Sequence, residues 1–122
     1  MKKILFVDDE PQLVEMVKIR LEANNYEVIL ASDGEQALEK ARGEKPDLII
    51  LDIMLPKMDG YKVCRMLKFD DKYSSIPVIM LTARSQKSEK SMGEEVGADA
   101  YIIKPFEPQM LLGKIKELLN ES

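Results

Sequence analysis

The sequence predicts an α/β domain built as a doubly wound parallel sheet, and three observations carry that expectation. Short β-branched or leucine-rich runs alternate with longer stretches of helical period, strand then helix, five times over. Two of the runs, Ile49-Ile50-Leu51 and Val78-Ile79-Met80-Leu81, are continuously apolar rather than alternating, which marks strands covered on both faces. The length of 122 residues, 45% of them apolar, fits one compact domain and leaves no room for two ordinary ones. Right-handed crossovers between parallel strands then place helices on both sides of the sheet.

Taken in order, the first strand is Lys3 to Val7, ended by Asp8-Asp9-Glu10. A helix over Pro11 to Ala23 follows, with proline in its first turn, a core face of Leu13, Val14, Val17 and Leu21, and a stop at Asn24-Asn25. Tyr26 to Ala31 reads as the second strand and Gly34 to Arg42 as the second helix, stopped by Gly43. Leu48 to Leu51 is the third strand, and Asp59-Gly60 reads as a turn without a chemical role before a helix over Gly60 to Phe69. Val78 to Leu81 is the fourth strand, entered from Pro77, and Gln86 to Val96 the fourth helix, stopped by Gly97. The fifth pair is Ala100 to Ile103 and Pro108 to Leu119. No linker, repeat or low-complexity tract interrupts the series.

Composition removes several function classes. Lysine plus arginine total 18 against 22 aspartate plus glutamate, a net charge of −4 with the lysines dispersed, so direct nucleic-acid binding by phosphate neutralisation is not expected. The one cysteine, Cys64, reads as helix filler, and with no histidine in the chain there is no zinc ligand set and no Ser-His-Asp or Cys-His catalysis. Met1-Lys2-Lys3 carries signal-peptide charge, but the apolar run Ile4 to Val7 ends at once, and no stretch approaches the ~20 residues that span a bilayer. A cytoplasmic protein without a membrane role is expected.

Chemistry lies where polar residues end the strands, because in an open parallel sheet ligands sit beyond the carboxyl ends. Asp8 and Asp9 follow the first strand, Asp52 the third, Thr82 the fourth and Lys104 the fifth. Carboxylates gathered on neighbouring strand ends repel unless something positive lies among them. Magnesium suits such a site, since it takes one or two carboxylates, keeps waters and recruits a phosphate oxygen. With Lys104 as a second positive charge and Thr82 as a hydroxyl donor, the set describes a phosphoryl site with one carboxylate available as nucleophile. Residue by residue, plainer readings exist: Asp8-Asp9-Glu10-Pro11 as a helix start capped by Asp9 or Glu10, Asp52 as a turn residue, Thr82 as a cap, Lys104-Pro105 as a strand exit.

In order, Asp8-Asp9, Asp52 within Leu-Asp-Ile-Met-Leu-Pro, Asp59-Gly60, Thr82-Ala83 and Lys104-Pro105-Phe106 resemble the receiver domain of two-component response regulators, the CheY-like superfamily. The resemblance spans residues 1–122 as a single receiver domain and implies the flavodoxin-like (βα)5 sheet with strand order 2-1-3-4-5 and a cis bond at Pro105. It implies Asp52 as phosphoacceptor, with magnesium held by Asp9, Asp52 and the Met54 carbonyl and by Asp8 through water. Thr82 and Lys104 would bind phosphate oxygens, and Tyr101, equally readable as a boundary packing residue, matches the aromatic switch. The implied function is signalling: a phosphoryl group passes from a sensor histidine kinase or phosphotransfer protein to Asp52, and the face of fourth helix, fifth strand and fifth helix changes for a downstream effector or an output domain beyond the chain. Such a protein catalyses only its own phosphorylation and dephosphorylation.

Met16 and Ile19 point away from the core face of the first helix, so with Arg20 and Phe106 they are expected to meet the kinase. Met54 and Arg84 match OmpR/PhoB-type transcriptional receivers and would shield the acyl phosphate from water. Those relatives dimerise through ion pairs, to which Asp99, Lys90 and Glu94 could contribute. Ala100 and Gly113-Lys114 depart from the usual pattern, which predicts a monomer with at most weak phosphorylation-dependent pairing. Two rivals fit less well. A flavodoxin-type FMN carrier needs a hydroxyl- and glycine-rich first loop rather than Asp-Asp-Glu-Pro, and an aspartate-nucleophile phosphatase needs an aspartate where Met54 stands. A receiver-like module that is never phosphorylated would share the fold, yet no residue of the acidic site is missing here.

Overall fold

Alternating burial explains why the strand segments carry so little polarity. In this computed structural model, which describes residues 1–82 and 97–121, β1 (Lys3–Val7), β2 (Glu27–Ala31), β3 (Leu48–Asp52), β4 (Val78–Thr82) and β5 (Ala100–Ile103) form one parallel sheet in the order β2-β1-β3-β4-β5. Successive side chains of a strand point to opposite faces. On one face Ile4, Phe6, Leu48, Ile50, Ile79 and Leu81 pack against α1 (Pro11–Ala23) and α4 (Pro108–Leu118) through Val17, Leu21, Leu111 and Ile115. On the other, Leu5, Val7, Ile49, Leu51, Val78 and Met80 pack against α2 (Gly34–Glu44) and α3 (Gly60–Lys68) through Ala37, Leu38, Val63 and Leu67. The doubly wound parallel sheet is therefore as expected. The helix expected over Gln86 to Val96 lies outside the described residues. Among those described, no helix is long and apolar enough to cross a membrane.

Several boundaries differ from expectation for physical reasons. β3 and β4 each continue one residue further, to Asp52 and Thr82, because the ladder still pairs Asp52 with Leu81 and Thr82 with Ile103. Two site residues are thus held by the sheet itself. α2 runs through Gly43 to Glu44 and stops where Lys45 turns left-handed, with φ 49. A helical glycine costs only about 1 kcal/mol, so the left-handed cap, not the glycine, decides the end. Tyr26 precedes β2. Its N–H donates to the Leu21 carbonyl in the turn closing α1, and its Oη donates to Glu121 Oε1 at 2.6 Å, tying the end of α4 to the sheet.

Helix starts are set by side chains. Asp33 accepts from the Gln36 N–H at 2.8 Å while Gln36 Oε1 accepts from the Ser32 N–H at 3.1 Å, a reciprocal arrangement that satisfies otherwise orphaned donors at the start of α2. Asp59, expected only as a turn residue, caps α3 by accepting from the Lys62 N–H at 2.9 Å.

Candidate functional site

The carboxyl ends of β1, β3, β4 and β5 converge on one edge, and the side chains there are nearly all polar. Asp8 and Asp52 are buried, 2% and 5% exposed, and Thr82 is buried at the end of β4. Lys104, just past β5, is fixed in register because its backbone N–H donates to the Thr82 carbonyl at 2.7 Å, and the bond joining it to Pro105 is cis. Its ammonium lies 2.9 Å from Asp8, 3.0 Å from Glu10 and 3.3 Å from Asp52. Asp8 also accepts from the Glu10 N–H at 3.0 Å, and Asp52 from the Met54 N–H at 3.2 Å.

A cleft of about 580 Å³ opens over these groups, lined by Asp52, Thr82 and Lys104 and, on its apolar side, by Leu13, Met16, Met54 and Phe106. α3 begins tightly beneath it. The Gly60 N–H donates to the Ile53 carbonyl at 3.0 Å, and a Cβ on Gly60 would collide with the Asp52 carbonyl oxygen, so only glycine lets α3 start this close to the site.

The electrostatics leave the site short of positive charge. Burial raises the Asp52 pKa above its ordinary value and the charge of Asp8 adds to the rise, while Lys104 and the Met54 N–H pull the other way. For Lys104, burial by itself would lower the pKa, but hydrogen bonds to Asp8 and Glu10 with the charges of Asp52 and Asp8 outweigh it and hold the ammonium above the usual lysine range. One carboxylate oxygen each from Asp8, Glu10 and Asp52 lies within 4.8 Å of the others. Three ionised carboxylates against one ammonium leave two negative charges uncompensated. Ligand oxygens about 2.1 Å from magnesium stand at most about 4.2 Å apart, so small side-chain adjustments would close this set around a divalent cation.

The structure brings together Asp8, Asp52, Thr82, Lys104 and Met54, all expected from the sequence. Asp9, expected as a direct metal ligand, is exposed and is not among the three clustered carboxylates, which include Glu10. Asp8 and Glu10 meet on the Lys104 ammonium, at 2.9 and 3.0 Å, and the Glu10 N–H also donates to the Asp8 side chain at 3.0 Å. Glu10 occupies the N-cap position of α1 but makes no side-chain cap bond, so the expected helix-capping role is not what its carboxylate does. The Asp-x-Glu spacing just after the first strand was the available signal for it.

Met80 pairs with Tyr101, and Tyr101 is half-buried against the cluster on the α2 and α3 side, the face onto which Met80 also packs. Met16 and Ile19 are 38% and 58% exposed. Met16, Arg20 and Phe106 border one small hollow between α1 and α4, whereas Ile19 stands apart from it. Arg84, Lys90 and Glu94 lie outside the described residues. Asp99, expected to pair with a second copy, is engaged within the chain, accepting from Lys68 Nζ at 2.9 Å and from the Val78 N–H at 2.8 Å. Cys64 is buried in α3, where burial pushes its thiol up to about 12 and removes thiolate chemistry at neutral pH.

Residues 4–116 match the response regulator receiver domain. The chain belongs to that family. The receiver is 49% identical over 121 residues to the alkaline phosphatase synthesis transcriptional regulatory protein PhoP of Bacillus subtilis, covering 99% of this chain and 50% of that protein. It is 41% identical to the DNA-binding response regulator MtrA of Mycolicibacterium smegmatis, covering 99% of this chain and 52% of that protein. The receiver thus spans about half the length of the curated relatives it matches. Among solved structures, chemotaxis response regulator CheY4 of Vibrio cholerae superposes with TM-score 0.90 at 36% identity, covering 97% of this chain and 98% of that one. The receiver domain of a Pseudomonas aeruginosa sensor histidine kinase, solved with a magnesium ion in its active-site cleft, gives TM-score 0.90 at 28% identity, with 98% of each chain covered.

Proposed function

We propose that this receiver is a phosphoacceptor switch in which Asp52 takes a phosphoryl group from a phosphohistidine of a sensor histidine kinase or phosphotransfer protein. The observation that carries the reading is Asp52 itself: buried at the end of β3, 3.3 Å from the Lys104 ammonium, and lining the cleft. Asp52 Oδ attacks phosphorus, the phosphorus–nitrogen bond breaks as the phosphorus–oxygen bond forms, and the imidazole leaves with the electron pair. Lys104 neutralises oxygen charge in that transition state and the Thr82 hydroxyl donates to a phosphoryl oxygen. Asp9, Asp52 and the Met54 carbonyl would hold magnesium, with Asp8 reaching it through water. The ion supplies charge neutralisation between the acceptor carboxylate and the incoming phosphoryl group.

The domain acts on itself and on no separate substrate. Phosphorylation would draw Thr82 toward the phosphoryl group and let Tyr101, on the same sheet face, turn inward, changing the surface around β5 and α4 that a downstream effector or output domain reads. Met16, Arg20 and Phe106, with the exposed Ile19 further along α1, form the kinase-facing corner, and Met54 shields the acyl phosphate. A cytoplasmic location belongs to the same reading.

Incubation with acetyl phosphate and magnesium should add one hydroxylamine-labile phosphoryl group. Chelation of the metal or Asp52→Asn should abolish it, and labelling that persists in Asp52→Asn overturns the assignment.

A further inference from the structure

Glu10 is spent in an unusual way. The N-cap position favours a short side chain that satisfies backbone donors of the first turn, yet Glu10 makes no such bond and instead accepts from Lys104 Nζ at 3.0 Å. An ammonium has three donors. Those of Lys104 are shared among Asp8, Glu10 and Asp52. The three acceptors are not equally held. Asp8 and Asp52 are buried and each also accepts a backbone N–H, from Glu10 and Met54 respectively. The Glu10 carboxylate is 62% exposed, and among the described residues Lys104 is its one recorded side-chain partner.

Building on the reading of Asp52 as phosphoacceptor, we infer that Glu10 is a positioning residue that occupies, in the resting domain, the place on Lys104 that a phosphoryl oxygen takes, so that phosphorylation displaces it. A phosphoryl group on Asp52 brings new acceptor oxygens beside an ammonium whose donors are already committed. One partner must leave, and the solvent-exposed carboxylate costs least to release, since water replaces its hydrogen bond. Repulsion from the phosphoryl charge acts in the same direction. Glu10 thereby sets how readily the resting site yields to the phosphorylated one. Because it also lines the cleft with Leu13, Met16 and Phe106, its release changes the charge at the rim facing a partner.

The test uses Glu10→Gln and Glu10→Ala in the full chain, titrated with beryllofluoride at saturating magnesium and followed by NMR. Because the Glu10 side chain caps nothing, both variants should melt as cooperatively as the parent. Both should bind the phosphoryl analogue about twofold to fivefold more tightly, the range expected for losing a largely exposed ion pair. The acetyl phosphate concentration at half-maximal rate should fall in proportion, and the Lys104 side-chain resonances of the resting state should shift. Unchanged or weaker analogue binding in both folded variants overturns the inference. A parent domain that binds no beryllofluoride, or is labelled equally as Asp52→Asn, overturns the phosphoacceptor reading instead, so the two failures are separate.

Discussion

Asp52 is placed where a carboxylate is costly to keep ionised. It is buried, faces Asp8 and shares a single ammonium with two other acids. The raised folded pKa means that the stability this group contributes is complete below the ordinary value of 3.8 and is lost as pH climbs through the folded value. At neutral pH the ionised acid is therefore a net liability to the metal-free fold. Asp52→Asn should raise the metal-free melting temperature by a few degrees at about pH 7, with the gain shrinking toward pH 3.8. Magnesium should stabilise the parent more than the variant, since binding to the native state alone adds stability with ligand concentration. Melting curves with chelator and with magnesium check both, and a variant less stable than the parent without metal would refute the account.

Among the elements, Lys68 at the end of α3 does more structural work than its position suggests. Its Nζ donates to the Ser74 carbonyl at 2.8 Å, the Ile76 carbonyl at 3.0 Å and Asp99 Oδ2 at 2.9 Å, while Asp99 also accepts the Val78 N–H that opens β4. One ammonium thus joins α3, the loop into β4 and the residue preceding β5. Its side chain is only 11% exposed, so this is not an ordinary surface pair. Lys68→Met would leave two carbonyls and the Asp99 carboxylate short of a donor and should cost about 2–4 kcal/mol in denaturant unfolding. Asp99→Asn, which keeps an acceptor for the Val78 N–H, should cost less. Equal stability of Lys68→Met and the parent would show that the hub is dispensable.

For the whole molecule, the same hub bears on assembly. Asp99 has internal partners, and Lys114 pairs with Glu117 along α4 at 2.7 Å, so two charges that could have joined a second copy are already engaged. The domain should sediment as a monomer at micromolar concentration, and beryllofluoride with magnesium should produce weak self-association at most. A tight dimer in either state would contradict this. Asp99→Asn, by loosening the Lys68 hub without adding a charge, should not create one.

The two-sided burial of β3 and β4 and the convergence of Asp8, Asp52, Thr82 and Lys104 were legible because periodicity and strand ends are local features, and parallel topology carries strand ends to one edge, whereas the strand order came from the family resemblance. The details decided by tertiary structure all depend on distant backbone. Glu10 joins the cluster because Lys104, 94 residues on, presents its ammonium to it. Gly60 is required by the approach of the Asp52 carbonyl, and Asp59 becomes a cap because α3 starts there. Asp99 turns inward because Lys68 lies within reach of it across 31 residues of sequence. Hydrophobic patterning states which side of an element faces the core. Which neighbour a polar side chain then finds is settled only when the sheet has brought remote residues within hydrogen-bonding distance.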